Sequence, residues 1–562
     1  MDAVPPAAPA SPGVQPGPTR TAARESIAFA IVMTLAGLLL FWRLGAVYLW
    51  QDEANTAVLA VRMLKFGKPL AYDGVNLLTN DNFAAEDRST VGSRTTNPKA
   101  AVDYVIARGD LKPDTSWIFH PWGQFVAAAA SIRLLGQTTI AARLPFALAA
   151  LATVGLLYGL VRRSTGHAQL ALVTSVLLVA NPEWILHSRQ ARYYALSGLF
   201  LVLTVAAYER WRRDAAETGR RGSRRSNTSA ALFVVTAWLW FQVDYGTVWP
   251  VLSVLFCHAL VERRRQIWQP ILAGIALAAA VAPFAIYYQL LTRQSAQIEP
   301  WIDRFRHSVY NIDLYVVPVV ILIAAIFLLV RRRRTVPAPE AHLVGLAAGV
   351  LGALSLWVAT VAPMAFVRYV VMAVPLGCIV AAWVLVQMFG RRPLAMWIGV
   401  AILVATPWLS VPLDGWAPDE RPSSSFTLIR SEWPTVVKEI FVPRPDPNRA
   451  VVDWLRQHAA PTDEILVNYE DVPLMYYLPN PIRGGVAAFR AEDDGHTPPT
   501  FAVFRRSVPF VHWPVFYREV ARYQWDQIPI DGPDVIWGNN PDPDGKIDNL
   551  YTAEKLVVGR RR

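Results

Sequence analysis

Two carboxylates stand side by side in Trp50-Gln51-Asp52-Glu53-Ala54, directly after the first long apolar stretch of the chain. From Ala54 onward, Ala57, Val58, Val61 and Leu64 recur with helical spacing as far as Gly67 and Pro69, which predicts an amphipathic helix opening on both acids. Successive helical residues point about 100° apart, so adjacent acids share one role only if Asp52 stands outside the helix as its cap. A carboxylate here can act as a general base toward an attacking hydroxyl. It can equally mark a helix start, since Asp is a preferred N-cap and Glu in the first turn suits the helix dipole. Arg189, Arg192 and Arg368 form a second set, each at the edge of an apolar segment. Such arginines can fix a phosphate through charge-assisted hydrogen bonds, or simply reach from a helix end to the membrane interface. His120, before Pro121-Trp122, can bind substrate or cap a second surface helix. Asp244 and Tyr245 fall between two apolar segments, where turn chemistry alone accounts for an Asp.

The elements that must position these residues are membrane helices. Of 562 residues 53% are hydrophobic and only 17% charged, with 21 Trp, and this lies outside the range of soluble domains. The net charge of +11 sits in short Arg runs between apolar segments, which argues for membrane topology and against nucleic acid as a partner. About eleven apolar segments can be marked: 27–49, 144–161, 168–186, 193–208, 229–243, 246–261, 271–291, 313–330, 342–361, 369–389 and 394–413. Arg20 and Arg24 place the N-terminus in the cytoplasm. Counting alternately from there, the cytoplasmic loops hold Arg162 and Arg163, the seven arginines from Arg210 to Arg225, Arg263 to Arg265, Arg331 to Arg334, and Arg391 with Arg392. Counting 120–135 as a further span would turn the seven-Arg loop outward, so that stretch reads as a helix lying on the outer surface or re-entrant. The outer side then receives a first loop of 50–143, the turns near 187–192, 244–245, 292–312 and 362–368, and everything after residue 413.

This divides the chain into a disordered cytoplasmic tail (1–25), a transmembrane domain (26–413), a Pro-rich extended linker (414–448) and an outer domain (449–562). Nothing at the N-terminus reads as a signal peptide, and the segment from Ile27 should stay as a span. In the outer domain Val451, Trp454, Leu455 and His458 have helical spacing, while Ile465 to Tyr469, Phe501 to Phe504 and Val535 to Trp537 read as strands, predicting a small α/β domain. Cys257 and Cys378 both lie in apolar segments, so neither a disulfide framework nor a Cys-based metal site is expected. Asn540 to Asp548 follows the first nine positions of an EF-hand loop, but Tyr551 stands where the bidentate Glu belongs and two prolines stiffen the segment; an Asp/Pro/Gly turn explains it better. No cofactor is assigned, and a divalent metal is not indicated.

One order of motifs ties these residues together. An apolar span, Trp50-Gln51-Asp52-Glu53-Ala54, an amphipathic helix ending in Gly67, His120-Pro121-Trp122, Leu135-Gly136 and Ala142-Arg143-Leu144-Pro145 follow one another. Further on come Ser188 to Ala195 and Arg368-Tyr369 with Pro375. The series resembles the GT-C glycosyltransferases, closest to the branch (glycosyltransferase family 39-like) with the protein O-mannosyltransferases, the aminoarabinose transferase acting on lipid A and the rhizobial galacturonosyltransferases. The likeness covers 27–413 in architecture and is most specific over 45–200. It implies a polytopic α-helical membrane protein with amphipathic helices in its first outer loop, and an enzyme that transfers a sugar from a polyprenyl-phosphate donor to an extracytoplasmic acceptor. The acceptor class stays open among lipopolysaccharide or lipid A, another cell-surface glycan, a glycolipid and a protein. It makes Asp52 the general base with Glu53 in support, and assigns the donor phosphate to Arg368, Arg192 and Arg189, the first of these foremost. His120, Tyr193, Tyr194, Asp244, Tyr245 and Tyr369 become substrate-binding candidates. The aminoarabinose enzymes carry a second acidic residue near 187–195, where this chain has Tyr193-Tyr194, so a single base is the economical expectation. The expected site is the inner (plasma) membrane, with membrane lipids as surroundings and the last domain outside the cytoplasm. A flippase for lipid-linked sugars would instead place ionisable groups at span centres. A non-catalytic assembly partner would tolerate Asp52→Asn.

Overall fold

The computed structural model describes residues 20–78, 111–218, 224–262, 267–290, 300–331, 338–362, 365–410, 432–443, 445–484, 498–505, 520–534 and 555–562, with Ile106 and Phe516 besides. Most of the 1–25 tail, the strand expected at 535–537 and the Asp-rich segment 540–548 lie outside the described residues. Helices α1 (Arg20–Phe41), α2 (Gln51–Phe66), α3 (Gly123–Leu135), α4 (Thr139–Thr165), α5 (Ala168–Val179), α6 (Pro182–Ser188), α7 (Tyr194–Thr218), α8 (Arg224–Phe241), α9 (Val248–Glu262) and α10 (Trp268–Tyr287) form the first part. They are followed by α11 (Trp301–Asn311), α12 (Val319–Arg331), α13 (Ala338–Val361), α14 (Val374–Phe389) and α15 (Pro393–Ala405).

The protein is a polytopic helical membrane protein. Each of the eleven apolar segments contains helix, but among the described residues only five helices are long and apolar enough to span on their own, or seven if each of two bent pairs counts as one. The breaks have local causes. Between α5 and α6 the chain bends by 63°; Asn181 accepts from Trp184 N at 2.8 Å and Pro182 opens the next helix, so a new helix starts where the old one ends. Between α11 and α12 an 83° bend follows a π-helical turn, Ile312–Val316, at Pro318, which has no N–H to continue the ladder.

The described part of the segment 50–143 contains two surface helices ahead of α4. α2 ends at Gly67 in the left-handed conformation, and α3 lies against α2 and α4. Gly123, at the start of α3, donates its N–H to Gln242 O at 2.8 Å, and a Cβ there would stand 2.5 Å from that same oxygen. Only glycine lets α3 close on the turn that carries Asp244.

Residues 432–441 depart from the extended linker expected over 414–448. They form α16 (Glu432–Phe441), because Trp433, Val436 and Ile440 make one apolar stripe that covers the transmembrane helices. Trp433 Nε1 donates to Val404 O at 3.0 Å. Next come α17 (Pro447–His458), β1 (Ile465–Val467), α18 (Asp471–Tyr477), β2 (Ile482–Gly484), β3 (Phe501–Phe504), β4 (Trp525–Pro533) and β5 (Lys555–Arg561). The sheet order is β2-β1-β3-β5-β4, with β1 parallel to β2 and β3, and β5 antiparallel to β3 and β4. Val451, Val452 and Leu455 of α17 pack on Ile465, Val467, Phe501, Val503 and Val558.

This unit seats directly on the α1–α2 connection. Tyr477 stacks on Tyr48 with ring centroids 3.9 Å apart, and its hydroxyl accepts from Leu49 N at 3.0 Å and lies 2.7 Å from Thr139 Oγ1. Asp446 accepts from Tyr48 N at 2.6 Å, and Asn448 Nδ2 donates to Leu49 O at 3.1 Å. The backbone leading into the acidic dipeptide is thus held by the C-terminal unit.

Candidate active site

Helix α2 starts after an extended Trp50, and no side chain caps it. Asp52 is therefore inside the first turn rather than ahead of it, and the angular step between neighbours sends the two acids to different environments. Glu53 is buried. Its Oε1 and Oε2 accept from Arg143 Nε and Nη2 at 2.7 and 2.6 Å, and Oε1 also accepts from Ala191 N at 2.8 Å. Arg143 Nη1 in turn donates to Leu44 O and Val47 O, both at 2.9 Å. Glu53 thereby ties α2 to α4, to the end of the α1 connection and to the 189–192 turn.

Asp52 points to the arginines. Its Oδ2 accepts from Arg368 Nη1 at 3.0 Å and stands 3.6 Å from Arg192 Nη2. Arg192 is 6% exposed, and its Nε and Nη1 are buried with no hydrogen-bond partner. Asn55 Oδ1, one turn along α2, and Gln190 Oε1, in the Arg192 turn, are also buried without a partner. Burial acts to lower both guanidinium pKa values, but the negative charge of Asp52 and the surrounding tyrosine hydroxyls outweigh it, so both lie above their ordinary value and both groups stay cationic. Two fixed cations against one carboxylate, with donors left over, make an anion-seeking site.

The other expected residues divide. Tyr193, Tyr194 and Tyr369 gather here: Arg368 lies over the Phe366 and Tyr369 rings at 4.4 and 5.6 Å, Arg192 lies 5.8 Å from the Tyr193 ring, and Tyr193 packs on Tyr194. His120 is adjacent, its ring 6.5 Å from that of Tyr193 and its Nδ1 accepting from Trp117 Nε1 at 3.3 Å. Arg189 is not brought to the cluster. Its guanidinium donates to Leu39 O, Leu40 O and Trp42 O at 2.6, 3.0 and 2.9 Å, closing the C-terminus of α1 where the carbonyls lack helical partners. Asp244 is occupied by its own turn, accepting from Gly246 N, Thr247 N, Thr247 Oγ1 and Ser197 Oγ. Tyr245 donates to Phe119 O at 2.6 Å and fixes the approach to His120.

Sequence reasoning did not assign Arg143, Asn55 or Gln190, nor the C-terminal residues around Gln51. Gln51 donates to Asp471 Oδ1 at 2.7 Å and accepts from Val472 N at 3.3 Å. A further buried carboxylate, Glu183, sits in α6 and lies 3.3 Å from His187 Nδ1; it was hidden in an apolar segment. Glu470 is buried beside Gln51's partner, accepting from Asn448 Nδ2 at 3.0 Å. Burial pushes its carboxyl up to about 7 against the opposing charge of Arg505. The unfolded carboxylate ionises near its ordinary 4.5, so its contribution to stability is complete below that pH and is lost as pH rises toward 7. Melting temperatures of the full chain should fall between pH 5 and 8, and Glu470→Gln should flatten that slope. Equal slopes for both proteins would rule Glu470 out as the cause.

Fold and cluster together define a polytopic helical membrane protein with a cationic, carboxylate-bearing site beyond its first helix. Among solved structures, the chain is similar to ArnT from Cupriavidus metallidurans. The undecaprenyl phosphate-bound crystal structure aligns with TM-score 0.58 at 14% identity over 96% of this chain and 98% of that one, and the apo structure with 0.59 at 15% over the same shares. The Archaeoglobus fulgidus oligosaccharyltransferase aligns more loosely, with TM-score 0.42 and 10% identity over 82% of this chain and 62% of that one. No protein family and no curated protein matches the sequence itself.

Proposed function

We propose that this protein is an inverting glycosyltransferase that moves a sugar from a polyprenyl-phosphate donor to a hydroxyl acceptor outside the cytoplasm. The observation that carries the reading is the Asp52 carboxylate held by Arg368 and Arg192, with two N–H groups of the buried Arg192 still to be satisfied. A phosphate oxygen is the partner those groups fit. The ArnT fold, and the undecaprenyl phosphate bound in one ArnT crystal structure, support the donor class.

Chemically, the acceptor oxygen forms its bond to the anomeric carbon as the bond from that carbon to the phosphate oxygen breaks, and the bonding electrons leave with the phosphate. The acceptor proton passes to Asp52. Donor phosphate competes for the same N–H groups, and as it draws Arg368 and Arg192 toward itself it frees a lone pair on Asp52 to take the acceptor proton. The charge that grows on the leaving phosphate meets cations already in place, which is where fixed dipoles and charges contribute most. Glu53, locked to Arg143, acts as a positioning residue for Asp52. The Arg pattern of the loops supports an outer site in the inner membrane, with the C-terminal unit beside it contributing to acceptor recognition.

The test is purified protein supplied with a panel of polyprenyl-phosphate sugars, with release of polyprenyl phosphate as the readout. Arg368→Lys keeps the charge but loses the planar fork, and should slow release about tenfold, or 1.4 kcal/mol. Unchanged release by this variant would take Arg368 off the leaving phosphate.

A further inference from the structure

A second cluster of ligand-type side chains lies at the other ends of the helices. His258 and Glu262 stand one turn apart on α9, and His342 lies in the first turns of α13; one ligand atom from each falls within 4.8 Å of the others. The two imidazoles meet edge to face with centroids 4.3 Å apart. His342 Nε2 is buried with no hydrogen-bond partner. His258 Nδ1 shares a hydrogen bond with the Tyr208 hydroxyl, the kind of outer contact that orients a ligating imidazole.

The electrostatics suit a divalent cation. Glu262 and the buried Glu209 face one guanidinium, Arg212, which bonds Glu209 Oε2 at 3.1 Å and Glu262 Oε1 at 3.4 Å. Glu209 Oε1 is buried and has no hydrogen-bond partner. Among the described groups, two carboxylates share this one arginine beside the two imidazoles. Tetrahedral ligands with bonds of about 2.0–2.1 Å stand roughly 3.3 Å apart, so modest rotamer changes close the observed separation. Two imidazole nitrogens and a carboxylate oxygen select a first-row transition ion over Mg²⁺ or Ca²⁺, which favour all-oxygen sites.

We infer that His258, Glu262 and His342 bind a zinc-class divalent ion that clamps α9 to α13 on the face opposite Asp52. The fourth position falls to water or Glu209. Binding is independent of the proposed transfer reaction, and its test reads metal rather than turnover. Full-length protein in detergent, with any polyhistidine tag removed, is stripped with chelator, dialysed against ZnCl₂ and assayed for metal content and melting temperature. One zinc per chain and a raised melting temperature are expected, with Mg²⁺ giving neither. The double variant His258→Ala/His342→Ala should lose the bound zinc. Glu262→Gln, at an exposed helix end where folding is insensitive to the change, should weaken zinc binding at least tenfold. Wild-type protein retaining no more zinc than the double variant, or Glu262→Gln binding as tightly as wild type, would overturn the assignment.

Discussion

Asp52→Asn protein is expected to release polyprenyl phosphate about a thousandfold more slowly than wild type while melting at nearly the same temperature. Loss of a positioned general base costs roughly 10²–10⁴ in rate. The fold should persist because Asp52 is partly exposed at 27% and the amide oxygen can still accept from Arg368. The substitution also removes the anion that competes with donor for the two arginines. KM for the donor should therefore stay level or drop while kcat collapses, a split that general destabilisation does not produce. Equal turnover by the variant would remove Asp52 from the mechanism, and a wild-type protein inert toward every donor would sink the glycosyltransferase reading itself.

The neighbouring acid should behave oppositely. Arg143→Leu leaves Glu53 buried at 1% side-chain exposure with only the Ala191 N–H to oppose its charge, among the partners described above. Breaking a buried ion pair from one side costs on the order of 3–5 kcal/mol, because the remaining charge stays desolvated. Glu53→Gln should cost less, since the amide can keep the Ala191 bond and Arg143 keeps its carbonyl acceptors at Leu44 and Val47. Unfolding of both single variants and the double variant in detergent gives the coupling energy. A cost below about 1 kcal/mol for Arg143→Leu would show that the pair does not hold the α2 start in place.

Much of this molecule was legible in its residues. Apolar length marked helix in every one of the eleven segments, and the 3.6-residue recurrence after Ala54 marked α2 with both acids at its head. Helical spacing and strand patterns found α17, β1 and β3. The Trp433, Val436, Ile440 stripe carries the same kind of signal, but the prolines around it read as linker. Bends were harder to see, because hydropathy averages across Asn181-Pro182 and Pro318 without registering that the helix axis turns there.

What the chain by itself determined is what depends on near neighbours and on water or lipid: which stretches are helical, that the protein belongs in a membrane, and that two carboxylates open α2 about 100° apart. Which of the two is locked in a buried ion pair and which faces Arg368 and Arg192 was decided only by tertiary structure. Arg143 lies 90 residues from Glu53 and Arg368 lies 316 from Asp52, and no local rule links them. The same holds for Arg189 and Arg192, three positions apart yet sent to a helix end and to the acidic site, and for His258 and His342 on separate helices. A charged side chain takes its role from whatever countercharge or unsatisfied carbonyl packing brings within about 3 Å, and only the folded arrangement of distant helices fixes that distance.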